Sequence, residues 1–201
     1  MEKNRLEAFS DGVFAIVITI MVFEIKIPHV EINQLNSALV GVMPKILAFV
    51  LSFIIIGVYW VAHHNMLHFV KTVDRAALWL NILVLLTVAL IPFPTALLGD
   101  YPFAVTPAIL YGSVLASVNF AGLLFWLHCT KNNKLTLPNL NPKFIKTVII
   151  VHSSPILFYL LAIFISQFSV LAAYCIYVAV PTFFIVPNKL LVKALSKPYL
   201  D

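Results

Sequence analysis

Six runs of mostly apolar residues, each about 20 residues long and so able to cross a bilayer as a helix, constrain this chain more than any other feature. They extend from about Leu6 to Ile27, Ile46 to Phe69, Ala76 to Leu98, Phe103 to His128, Phe144 to Ile165 and Val170 to Leu191. In lipid every backbone N–H and C=O must be bonded inside the protein, and a helix achieves this within one segment. The expected fold is all-α, a single six-helix transmembrane domain over residues 1–201. Turns are expected at Pro28 and Pro44, at Pro92-Phe-Pro94 running into Gly99-Asp100-Tyr101-Pro102, and from Asn139 to Pro142.

Composition closes off the other classes. Hydrophobic residues make up 62% of the chain and charged residues 10%, against roughly 45–50% and 25% in a globular domain. So few charges cannot cover a soluble surface, and the chain is too apolar for disorder. Cys129 and Cys175 are too few for a disulfide scaffold and read as small buried hydrophobes. The net charge of +5 comes from basic residues lying between apolar blocks, without the aromatic-lined patch of a nucleic-acid binder. Their placement sets orientation instead. Lys3, Arg5, Lys71, Arg75, Lys131, Lys134, Lys143, Lys146, Lys189, Lys193 and Lys197 fall on the side of the N-terminus, 11 of the 13 basic residues, and only Lys26 and Lys45 fall opposite. Basic loops stay inside, so both termini are expected in the cytoplasm. Glu2, Glu7 and Asp11 before the first apolar stretch, with no small-residue cleavage site after it, argue against a signal peptide.

The first span differs from the rest. It carries Asp11, Thr19 and Glu24, and a helix facing lipid would be cleaner. Projected at 100° per residue, Gly12, Thr19, Ile20 and Phe23 fall within about 60° of Ile16, whereas Asp11 falls about 140° away. Such a stripe serves helix packing or, where bulky aliphatic rings expel water, a pore constriction.

The segment Arg5-Leu-Glu-Ala-Phe9-Ser10-Asp11-Gly12-Val13-Phe14-Ala15-Ile16 resembles the signature of the endosomal and lysosomal potassium channel family (transmembrane protein 175-like) in its prokaryotic branch. Tyr59-Trp60-Val-Ala-His63-His64 and Pro92-Phe-Pro94-Thr95-Ala-Leu-Leu resemble it too. The resemblance implies a potassium channel, not an enzyme, in a prokaryotic plasma membrane. It implies a homotetramer in the bilayer with first spans around a central pore. It places the family's aliphatic constriction on Ile16, with further layers at Ile20 and at Phe23, where the family usually has Leu. It implies no cofactor beyond the permeant potassium ion, expected near Ile16 and Thr19. Arg5, Phe9, Ser10 and Asp11 become members of a motif network.

The residues limit the mechanism independently. No Thr-Val-Gly-Tyr-Gly filter is present, and the chain has six glycines, so ions must be selected by side chains. Thr19 is the one hydroxyl on the stripe. Two arginines make no voltage sensor, and no nucleotide-binding glycine motif powers a pump. Glu24 at the outer mouth can concentrate cations.

Asp11, Asn81 and His152 each lie six residues beyond a basic residue, about 9 Å along a helix. His63 and His64 reach the same depth on the descending second span. A shared polar layer admits three readings: a clasp tying the first span to its neighbours through Asp11, a proton relay, or coincidence, His152 being its most accidental member. The relay carries the alternative function, a proton-coupled secondary transporter using Asp11 and the span 2 histidines. Trp60, Trp79 and Trp126 read as an interfacial belt, and Asn119 and His128 as satisfied or interfacial groups. Pro155 and Pro181 are expected to kink the last two spans.

Overall fold

The structure, a computed structural model, describes residues 3–26, 29–131, 134–185 and 199. Pro28, the expected end of the sixth span near Leu191, and Lys189, Lys193 and Lys197 lie outside them. The described residues form α1 (Lys3–Ile20), α2 (Leu35–His68), α3 (Arg75–Ala89), α4 (Pro92–Asp100), α5 (Val105–Thr130), α6 (Pro142–Ser166) and α7 (Val170–Ile185). Short 3₁₀ turns cover Met21–Glu24 and Ile32–Gln34. Five passes are long and apolar enough to cross a bilayer, α3 and α4 together making one of them. The described part of α7 is apolar and shorter.

Two of the expected turns are helix instead. Pro44 lies inside α2, which begins at Leu35 rather than near Ile46. At 1.5 Å per residue its 34 residues reach about 51 Å, well beyond the hydrocarbon core. Pro92 and Pro94 open α4 rather than ending the third span. A proline in a first turn gives up an N–H that has no partner there anyway. The bend is small, since Thr95 N–H still donates to the Ile91 carbonyl at 3.2 Å. The turn proper is residues 101–104. Asn139 takes a positive φ of 62°, and Asn141 then caps α6 by accepting from the Lys143 N–H at 2.9 Å, so the Asn139–Pro142 joint is a turn that starts a helix. Pro155 and Pro181 lie inside α6 and α7.

The centre of the bundle is α5, packed against α3, α4, α6 and α7. Its buried glycine decides one of these joints. The Tyr177 hydroxyl donates to the Ala108 carbonyl at 2.7 Å, and the space it uses is the missing side chain of Gly112. A Cβ there would meet the Tyr177 hydroxyl and lie 2.8 Å from Ile163 Cγ1. Cys129 is fully buried as expected, but Cys175 is exposed on the outer face of α7. Trp126 is no belt residue: it is fully buried, and its indole N–H donates to the Ile145 carbonyl at 3.3 Å.

At the end where α1 begins, two loops are stitched together. Lys71 N–H donates to the Leu135 carbonyl at 2.7 Å and Leu137 N–H to the Phe69 carbonyl at 3.0 Å. Asp74 caps α3 through the Ala77 N–H at 2.7 Å and meets His128 Nε2 at 3.0 Å, tying α3 to the last turn of α5. At the opposite end Lys45 pairs with Asp100.

Two predictions follow from these joints. Gly112→Ala overpacks the α5–α7 contact and should lower stability by about 1–3 kcal/mol, read as a fall of several degrees in the thermal transition in detergent. The Ala77 N–H, and after it His128, hold the Asp74 carboxyl below the usual carboxylate range. A lowered pKa in the folded state stabilises at neutral pH, and that contribution disappears as pH falls through the lowered value. Asp74→Asn, which keeps the cap, should therefore flatten the loss of thermal stability between pH 5 and 3 relative to the unaltered protein.

Candidate functional site

The first helix lies along one edge of the bundle, against α2 and α3. Its inner face is Leu6, Ser10, Phe14 and Val17, all buried, continued by Met21. Its other face has no cover from the chain. Ile16 is 60% exposed, Ile20 43% and Phe23 77%, and Gly12, Thr19, Arg5 and Phe9 are exposed as well. A helix with bulky apolar residues on both faces is built to be buried on both. The stripe from Gly12 to Ile20 is therefore presented as one continuous surface.

Phe23 joins that surface by a different route from the one an unbroken α-helix would give. The α-helix tightens after Ile20 into a 3₁₀ turn. With three residues per turn, positions i and i+3 eclipse, so Phe23 stands directly beyond Ile20. The Thr19 hydroxyl donates to the Ala15 carbonyl at 2.8 Å, with the Ile16 carbonyl at 2.9 Å. Its proton is thereby committed to the backbone, and its lone pairs are what it offers outward.

Two neighbouring motif residues hold the helix, on opposite flanks. The Ser10 hydroxyl donates to the Leu6 carbonyl at 2.8 Å and accepts from Asn81 Nδ2 on α3 at 3.1 Å, both side chains fully buried. Asp11 Oδ1 accepts from the Trp60 indole N–H on α2 at 2.8 Å. Successive residues are 100° apart, so Ser10 faces α3 while Asp11 faces the flank along α2.

The expected clasp is thus redistributed. Asp11 bonds neither Asn81 nor His63 nor His64. Asn81 belongs to Ser10. His63 is buried between the rings of Phe14, at 5.7 Å, and Phe125, at 6.1 Å, and neither ring nitrogen has a hydrogen-bond partner among the described residues. His64 lies against Trp60, ring to ring at 5.9 Å. His152 is buried on α6, apart from this set. Arg5 and Phe9 point to the uncovered face and add no bond to the network among the described residues. A relay from Asp11 to a span 2 histidine has no direct Asp–His hydrogen bond here.

Sequence reasoning missed Trp60 as the partner of Asp11. The signal was present: Trp60 is four residues before His64, one turn along the same face, and an indole N–H in lipid needs an acceptor. No group of three or more His, Cys, Asp or Glu suited to a metal ion occurs among the described residues.

Comparison with known proteins reaches the whole chain. Residues 5–92 match the family described as "Endosomal/lysosomal potassium channel TMEM175". A potassium channel of Chryseobacterium sp. is 34% identical over 202 residues, covering 98% of this chain and 100% of the relative. A potassium channel of Streptomyces collinus is 40% identical over 145 residues, 70% of each chain. The crystal structure of a lysosomal potassium-selective channel TMEM175 homolog from Chamaesiphon minutus superposes with a TM-score of 0.81 at 33% identity, over 91% of this chain and 96% of that one.

The two flanks predict separable losses. Asn81→Leu removes the α1–α3 bond while Ser10 keeps the Leu6 carbonyl, and should cost about 0.5–2 kcal/mol, the range of interhelical hydrogen bonds in membranes. Trp60→Phe leaves a carboxylate without its donor and should cost more. Thermal unfolding of both variants in one detergent checks the order. A larger loss in Asn81→Leu would show that Ser10, not Asp11, carries the join.

Proposed function

The chain belongs to the TMEM175 family of ion channels, and we propose that it conducts potassium passively through a central pore lined by α1 from four copies. The observation that carries this reading is the uncovered α1 stripe. It presents Ile16, Ile20 and Phe23 in successive layers with Thr19 among them, on the only face of α1 that the chain leaves open. Four such faces around an axis bury one another's apolar side chains and leave a narrow, oily constriction that gates by expelling water. Ile16 forms the inner layer, Ile20 the next, and Phe23 the outermost.

Selection falls to Thr19. Its hydroxyl proton is held by the backbone, so a ring of four threonines turns oxygen lone pairs toward the axis, and these can replace part of a potassium ion's water. A single side-chain layer replaces less hydration than a filter of stacked carbonyl rings, so discrimination against sodium is modest. Glu24, exposed at the outer end of α1, attracts cations to the mouth. Ser10–Asn81 and Asp11–Trp60 keep the stripe aimed at the axis. The basic loops place the Lys3 end of α1 in the cytoplasm of a prokaryotic plasma membrane. Passive conduction needs no cofactor, only the permeant ion.

The reading is tested by reconstitution. Purified protein in planar bilayers should show single-channel steps under a potassium gradient; flux without steps would identify a carrier and overturn the pore. Ile16→Asn should raise basal conductance several-fold, because a polar ring keeps the constriction wet. Unchanged conductance in an intact tetramer would remove Ile16 from the pore wall. Thr19→Val should shift the ratio of potassium to sodium permeability with assembly unchanged, read from reversal potentials under bi-ionic conditions.

A further inference from the structure

Away from the α1 stripe, a groove of about 870 Å³ opens between α2, α5, α6 and α7. None of its lining residues carries a formal charge, and most are aliphatic or aromatic. Its size falls within the range of small-molecule sites, which pair an apolar wall with a few convergent polar groups. Here those groups are His152 on α6, Tyr159 one to two turns further along, and Asn119 on α5.

Their hydrogen-bonding capacity is unspent. His152 is 8% exposed and Tyr159 2%, and neither side chain has a hydrogen-bond partner among the described residues. Their polar atoms are absent from the sealed, unpartnered ones because they open onto the groove. Asn119 uses its Nδ2 on the Tyr59 hydroxyl at 2.9 Å and the Leu115 carbonyl at 2.9 Å, which leaves its carbonyl oxygen. Pro155, on the groove wall, has no N–H to give the Val151 carbonyl one turn back. Polar groups buried in a membrane protein without partners are costly, and so mark function.

We propose that this groove binds an uncharged amphipathic lipid: one long hydrocarbon chain ending in a hydroxyl. The hydrocarbon lies along Ile54, Val58, Val148 and Phe184, and the hydroxyl sits between His152 and Tyr159. A hydroxyl both donates and accepts, which suits a tyrosine O–H on one side and an imidazole nitrogen on the other. A charged headgroup is excluded because no wall residue would neutralise it. Trp60 is also on this wall, and its indole N–H holds Asp11 of α1, so the bound chain touches the residue that fastens the pore helix. The site lies outside the proposed pore, and its occupancy is measured without conduction.

The test is photolabelling of the full-length protein in bilayers with a diazirine analogue of stearyl alcohol, adducts being mapped by mass spectrometry. Labelling should saturate, concentrate on Val148, Val151 and Phe184, and fall at least threefold with excess oleyl alcohol but not with excess octadecane. Tyr159→Phe and His152→Phe should each weaken competition by the alcohol at least threefold. Val151→Trp, which fills the groove, should abolish labelling there; if that variant does not fold, competition in the unaltered protein decides. Labelling spread evenly over the outer faces of the helices overturns the proposal. So does equal competition by alcohol and alkane. An unlabelled groove, the result if a second copy of the chain fills it, overturns it as well.

Discussion

The hydrogen bond from Asn81 on α3 to Ser10 on α1 is the contact on which the rest of the functional geometry turns. A helix with apolar residues all round has no intrinsic preference for which face it buries, since lipid and protein core are almost equally apolar. A polar pair removes that freedom, because rotating the helix would leave two hydrogen-bonding groups in hydrocarbon. With Ser10 held against α3 and Asp11 held by Trp60 on α2, α1 is pinned at two points 100° apart on its circumference. One rotation satisfies both, and it is the one that turns Ile16, Thr19 and Ile20 outward.

The same logic explains why the interior of the subunit is so rich in hydroxyl and amide contacts. Ser52 meets both Thr95 and Tyr111 at 2.8 Å, joining α2, α4 and α5. Asn119 meets Tyr59, joining α5 and α2. In water such bonds add little to a fold that burial already drives. In a bilayer there is no hydrophobic force between helices, so close packing and hydrogen bonds select which helices associate. Gly112 and the Tyr177 hydroxyl on the Ala108 carbonyl combine both means in one contact.

His63 stands apart from this pattern. It is buried between two phenyl rings with no bond to either nitrogen among the described residues, behind the helix face that carries Ser10. The depth count that grouped it with Asp11 was sound along the membrane normal and silent about the circumference. Asp11, Asn81 and His63 occupy similar heights on different sides of α1, and a hydrogen bond requires both coordinates.

The sequence by itself determined the class of the protein, the number and rough limits of its apolar runs, and the residues of the α1 stripe. These depend on composition and on periods of a single helix, which are local quantities. It also placed Ser10 and Asp11 correctly as fastening residues. Only the tertiary structure decided what they fasten to, because a partner is a matter of which helices pack and at what rotation. The same holds for prolines: Pro44, Pro92 and Pro94 read locally as breaks, yet a buried helix continues through or restarts at them when its neighbours supply the packing. The groove with His152 and Tyr159 was invisible in the chain for the same reason. It is the space between helices that meet only in the fold, and no period in one segment encodes the gap beside another.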